Sequence, residues 1–319
     1  MTNVNALRVL LAPIERDLEE VETFLRRIVG AGEGKRPSAP ETPDGETWLG
    51  ETAAALLSAG GKRLRPALVL LSAHAGLFRS ERAVPAAAAV ELLHLASLVH
   101  DDLIDQGELR RGAPTVNARW GGQLAVLMGD FLFGRALAAA AFLPAPPVTA
   151  FSTLITRLVT GEVDQFLSRQ TIPGLPDYLE RVGLKTASML SACCQVGAAA
   201  GEVPEEQAAA LVEYGWWLGM AYQVVDDLLD VEGDPLELGK PVGADARTGV
   251  ATLPAVLAAG CETSLVEAAA PSRGRLLEQA RAMAHDFSGK AVAELEPVQC
   301  PWVRALLRSL AGFVVDRQC

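Results

Sequence analysis

Apolar residues along the chain recur mainly at three- and four-residue spacing, and alternating runs that would mark strands are scarce. With that period, amphipathic helices are expected over 3–29, 47–59, 66–75, 80–104, 116–142, 148–169, 176–200 and 204–231. Shorter ones follow near 252–259, 275–285 and 303–317. The breaks between them are marked by Gly60-Gly61, Gly112, Pro114, the run from Pro173 to Pro176, and Gly233-Asp234-Pro235. The strongest loop is AGEGKRPSAPETPDGE, about 31–46, which follows an N-terminal helical arm of about 1–30. Neither a Pro/Ser-rich linker nor a short repeat divides the chain, so one all-α domain is expected over 1–319.

Composition adds two questions. Half of the 319 residues are hydrophobic but only 5% are aromatic. The abundance of Ala and Gly fits either good helix propensity or close approach between helices, and composition does not choose. Mean hydropathy is positive, at +0.22, which raises the question of a membrane span. A span needs about 20 apolar residues in a row. The longest uncharged stretch, between Arg135 and Arg157, is broken by Pro144, Pro146 and Pro147, so no transmembrane segment is expected. The acidic start lacks the basic and apolar pattern of an export signal, and a cytoplasmic location is expected. The five cysteines lack CxxC spacing, which disfavours a zinc site. With 28 basic and 39 acidic residues the net charge is −11, a poor match to nucleic acid. A phosphate-bearing small molecule stays open if metal ions mediate.

The chemistry concentrates in two similar acidic boxes. The first is Asp101-Asp102-Leu103-Ile104-Asp105 and the second Asp226-Asp227-Leu228-Leu229-Asp230. On a helix the first and last Asp of each box share a face about one turn apart, where like charges repel. Such carboxylate pairs, each at the end of an apolar helical segment, suit a hard cation such as Mg2+ that keeps water or substrate phosphate among its ligands. Basic clusters lie near them in sequence: Gly60-Gly61-Lys62-Arg63-Leu64-Arg65, Arg110-Arg111, Lys185-Thr186 and Gly239-Lys240. Cations flanking a helix start form a site for phosphate. Carboxylates, a divalent metal and separate cations together describe a diphosphate site. No P-loop, GxGxxG after a strand, HExxH or GxSxG is present.

An ordered set of segments carries a family resemblance: GGKRLRP at 60–66, ELLHLASLVHDDLIDQGELRRGAPT at 91–115, GEVDQ at 161–165, KTASML at 185–190, YQVVDDLLD at 222–230 and GKPVGADARTGVATLP at 239–254. In these the chain resembles the trans-polyprenyl diphosphate synthases, which build isoprenoid diphosphates head to tail. The resemblance implies a single-domain bundle of long antiparallel helices around a deep central cavity, the isoprenoid synthase type, usually dimeric. It implies a Mg2+ cofactor held by Asp101, Asp105 and Asp226. It also implies that Arg110, Lys185, Thr186, Gln223 and Lys240 contact the allylic diphosphate, and that Lys62, Arg65, His94 and Arg111 hold isopentenyl diphosphate. Asp102 and Asp230 would act through neighbouring groups or water. Val250 stands where short-chain members commonly carry a lysine.

Product length in this family follows from bulk beneath the first box. Short-chain members place an aromatic four or five residues before it, where this chain has Ser97 and Ala96. A long product is therefore expected, with a tunnel floor drawn from Leu92, Leu93, Phe151, Leu154 and Leu158. The alternatives are a farnesyl or geranylgeranyl synthase, or the catalytic subunit of a synthase that needs a second, dissimilar chain.

Overall fold

The computed structural model describes residues 3–30, 44–110, 112–143, 147–232, 249–262 and 273–316. Those residues are almost entirely helical, as the three- and four-residue spacing requires. The expected N-terminal helix is broken. Helix α1 (Asn3–Leu10) gives way to a 3-10 turn at Ala12–Ile14 before α2 (Glu15–Ile28), because Pro13 lacks an N–H for the ladder. Helix α3 (Gly45–Ser58) starts where the Asp44 side chain accepts from the Glu46 and Thr47 amides. Then follow α4 (Leu64–His74) and α5 (Ser80–Ile104).

The expected helix over 116–142 is split into α6 (Val116–Trp120) and α7 (Gly122–Ala140) by Gly121, whose φ of 89° suits only glycine. Helix α8 (Val148–Leu167) precedes α9 (Leu175–Val182), which runs through a π-helical segment, Gly183–Ala187, into α10 (Ser188–Ala200). The chain continues as α11 (Glu205–Glu232), α12 (Leu253–Glu262), α13 (Arg273–Glu294) and α14 (Pro301–Asp316). Helix α13 extends well beyond the expected 275–285 at its C-terminal end. Among the described residues the strand content is one two-residue ladder, Leu109–Arg110 against Ala113–Pro114.

Helix α5 is the hub. It packs on α7 along most of its length and on α4, α2 and α10, while α11 joins α10 to α13 and α14. Its stretch from Ala83 to Leu93 is buried throughout. Both α5 and α7 reach the length and apolar composition of a membrane-crossing helix. In α5, 83% of the most apolar window is covered by protein, whereas α7 has 39% covered and leaves Val126, Leu127 and Leu137 exposed.

Close approach decides what the small residues are for. A Cβ on Gly197 of α10 would sit 2.2 Å from the Val69 carbonyl oxygen of α4, and one on Gly219 of α11 would sit 2.4 Å from the Ala187 Cα. Backbone meets backbone at these contacts, so they fix the spacing of α4, α10 and α11. Gly197→Ala is expected to destabilise the protein by about 2–3 kcal/mol through overpacking. Gly289→Ala, on an open face of α13, should stabilise by up to about 1 kcal/mol through helix propensity. Urea midpoints of the two variants should move in opposite directions.

Candidate active site

A cavity of about 420 Å3 opens between the C-terminal ends of α5 and α11, walled on the other sides by α8, α9 and the π segment. Three- and four-residue spacing along α5 brings His94, Ser97, Leu98, Asp101 and Asp105 onto the face that lines it. Asp105 is the residue that caps α5. Asp102, one position on from Asp101, points elsewhere: it is buried and receives the Arg110 guanidinium, with Nε 2.8 Å from both carboxylate oxygens. Arg110 is delivered by the short ladder, which turns at Gly112 (φ 75°). The Thr115 hydroxyl ties that turn back, donating to the Gly107 carbonyl at 2.7 Å.

The π segment presents Lys185 and Thr186. Widening one helical turn re-aims its side chains, a device common at functional sites. Trp216 covers it from α11, so close that a Cβ on Gly183 would lie 2.9 Å from the ring. The Lys185 ammonium pairs with Glu162 and donates to Gln165 at 3.3 Å, both on α8. The Thr186 hydroxyl donates to the Gln223 side-chain oxygen at 2.7 Å, and the Gln223 amide donates to Asp227 at 2.9 Å. Asp227 also accepts from the Tyr178 hydroxyl and the Leu253 backbone amide, both at 2.7 Å. The second box thus divides its work: both Asp226 and Asp227 line the cavity, and the more deeply buried Asp227 also locks α9, α11 and α12 together.

Burial dominates the electrostatics of the site. Burial pushes the Asp101 carboxyl up to about 7; Lys185 and Arg110 pull it back, and the Glu162 and Asp105 carboxylates push it further up. Burial likewise raises Asp227 to about 7, against the hydrogen bonds that favour its ionised form. Both Glu162 oxygens are buried, and the Lys185 ammonium is the counter-charge set against them. Among the described residues no three acidic, histidine or cysteine side chains converge to enclose a metal by themselves. Oxygen ligands on one side and open space on the other fit Mg2+, which keeps waters and substrate oxygens.

Of the residues singled out from sequence, Asp101, Asp105, Asp226, Lys185, Thr186, Gln223, Arg110, Arg65, His94 and Ser97 line this one cavity. Lys62 is exposed and does not line it. Ala96 is fully buried outside the lining, because it sits about 100° around the helix from Ser97. Of the floor candidates Leu158 lines the cavity, while Leu92, Leu93, Phe151 and Leu154 are buried away from it. Arg111 and Lys240 lie outside the described residues.

Residues that sequence reasoning passed over also take part. Glu162 and Gln165 belong to the GEVDQ stretch, whose resemblance was visible without a role. Tyr178 and Arg181 on α9 line the cavity with no spacing signal to announce them. Arg63, counted among the basic cluster, turns away instead. Its backbone is left-handed (φ 48°), and its guanidinium reaches Glu22, Glu91 at 2.7 Å and the Leu57 carbonyl at 2.8 Å. Tyr178→Phe removes one of three donors to a buried carboxylate and should cost about 1–2 kcal/mol in chemical denaturation.

The Polyprenyl synthetase family model matches residues 46–280. Heptaprenyl diphosphate synthase component 2 of Geobacillus stearothermophilus is 37% identical over 98% of this chain and 99% of its own length. The crystal structure of a decaprenyl diphosphate synthase from Rhodobacter capsulatus superposes with a TM-score of 0.82 at 31% identity, covering 98% of this chain and 99% of that one. A polyprenyl synthase from Caulobacter crescentus, complexed with calcium and isoprenyl diphosphate, gives a TM-score of 0.83 at 30% identity over 98% of both chains.

Proposed function

The chain belongs to the polyprenyl synthetase family and is a prenyltransferase, and from that premise we propose that it joins isopentenyl diphosphate head to tail to an allylic diphosphate, with Mg2+, to make a medium- or long-chain all-trans polyprenyl diphosphate. The observation that carries this reading is the convergence of both acidic boxes and the cations of four separate elements on a cavity whose inner wall includes Leu98, Leu158 and Met189.

Asp101, Asp105 and Asp226 would hold the metal, which when bound neutralises charge on a departing diphosphate. Arg110, Lys185, Thr186 and Gln223, with Lys240, take the allylic diphosphate and stabilise the charge that grows as its carbon–oxygen bond breaks. Arg65 and His94, with Arg111, hold isopentenyl diphosphate so that its double bond faces the allylic carbon. The apolar wall shields the carbocation from water until that bond forms. The proton lost afterwards passes to the released diphosphate.

Length of product rests on Ser97, the small side chain on the cavity face of α5 one turn before Asp101. Given farnesyl and isopentenyl diphosphates with Mg2+, the protein is expected to yield products longer than geranylgeranyl diphosphate by chromatography. Ser97→Phe should shorten them while condensation continues. Products that end at farnesyl or geranylgeranyl would overturn the long-chain reading.

The exposed apolar stripes on α7 (Val126, Leu127, Leu137) and α8 (Val159, Val163) support assembly as a homodimer. The description of the Geobacillus relative as a component 2 supports the alternative of a dissimilar partner chain. Light scattering of the purified chain is expected to give a dimer that Leu127→Glu converts to monomer. A monomeric chain inactive with every allylic primer would favour the dissimilar subunit.

A further inference from the structure

Arg169 stands on the turn that ends α8, and its guanidinium crosses to Asp105 at the end of α5. The Phe166 ring lies beneath it, 5.0 Å from the guanidinium carbon. Its Nε is buried and has no hydrogen-bond partner. The turn itself is held from several sides. The Ser168 hydroxyl donates to the Asp164 carbonyl at 2.7 Å, and Arg181 donates to the Ser168 hydroxyl and the Ala251 carbonyl, both at 3.3 Å. The Gln170 amide donates to the Gly249 carbonyl at 3.1 Å. Arg169 therefore reaches the first acidic box from a turn anchored outside both boxes.

The cations around the box are distributed one to a carboxylate. Arg110 holds Asp102, Lys185 holds Glu162 and Arg169 holds Asp105. Asp102 and Glu162 are not among the residues read above as metal ligands. Asp105 is, and the oxygen that Arg169 takes belongs to it. A guanidinium bound to that carboxylate and a divalent cation compete for the same lone pairs, and their charges repel.

We propose that Arg169 is a positioning residue that holds Asp105 in the metal-free enzyme and competes with the divalent cation for it, setting the Mg2+ concentration at which the site fills. The proposal rests on the assignment of Asp101 and Asp105 as metal ligands. Phe166 beneath the guanidinium supports it in the position from which it holds Asp105.

The test is a titration of the full chain with Mg2+ in the presence of inorganic diphosphate, followed by calorimetry and by the thermal midpoint. Arg169→Gln is expected to lower the Mg2+ midpoint about fivefold and to lower the melting temperature of the metal-free protein, where carboxylates are left uncompensated. Arg169→Lys, which keeps the charge, should stay near wild type. Arg157→Gln, on the exposed side of α8, makes the same change in net charge and should leave the midpoint alone. A midpoint that is unchanged or raised in Arg169→Gln overturns the proposal, as does an equal shift in Arg157→Gln. Should Arg169→Gln fold poorly, Phe166→Ala keeps the charge but removes its support, and a midpoint no lower than wild type would overturn the proposal equally. Absence of any Mg2+ response in the wild-type chain would instead overturn the metal-ligand assignment on which this rests.

Discussion

Crowded carboxylate charge at one end of the helix bundle is the constraint around which the rest of the molecule is arranged. Asp101, Asp105, Asp226 and Glu162 face one cavity, and in a low-dielectric setting such groups raise one another's pKa or demand counter-charge. The protein answers with cations drawn from different elements: a hairpin supplies Arg110, a widened helical turn Lys185, the end of α8 Arg169. Arg110 follows the first box in the next hairpin, while Lys185 and Arg169 come from other helices, so these last two depend on the packing of α8 against the π segment and α5.

The same arrangement separates two kinds of aspartate within each box. Asp102 and Asp227 are turned inward and satisfied, by Arg110 in one case and by Tyr178, Gln223 and Leu253 in the other. They hold the local backbone, Asp102 away from the cavity and Asp227 at its edge, while Asp101, Asp105 and Asp226 stand on the cavity wall. A helix that carries adjacent acids can do both jobs because neighbouring positions are about 100° apart. The likeness of the two boxes in sequence is matched by this division of labour, reached with different partners on each side.

Helix period and the acidic boxes made the fold class and the centre of the site legible from residues alone. Period also put Ser97 one turn below Asp101, where the cavity does run. The resemblance also offered Ala96, which is buried off the cavity, because which side of a helix meets the cavity depends on how α5 is rotated in its packing. Lys62 and Arg63 read alike as members of a basic cluster; only the left-handed backbone at Arg63 and its carboxylates on α2 and α5 tell them apart. Glu162, Tyr178, Arg169 and Arg181 come from segments far from the boxes and carry no pattern of their own. The break at Pro13 follows from a missing N–H and was open to sequence reading, whereas the π segment followed from no residue signal.

That π segment has a consequence for how the enzyme tolerates change. A helix ordinarily transmits rotation: remove one residue and everything beyond it turns by about 100°. The segment from Gly183 to Ala187 holds the surplus residue in one place, so α9 and α10 keep independent phases while remaining one continuous rod. Tyr178 can face the second box and Gly197 can press on α4 without either alignment dictating the other. In mechanical terms it is a phase coupling between two shafts, and the cavity-lining Lys185 and Thr186 sit on the coupling itself.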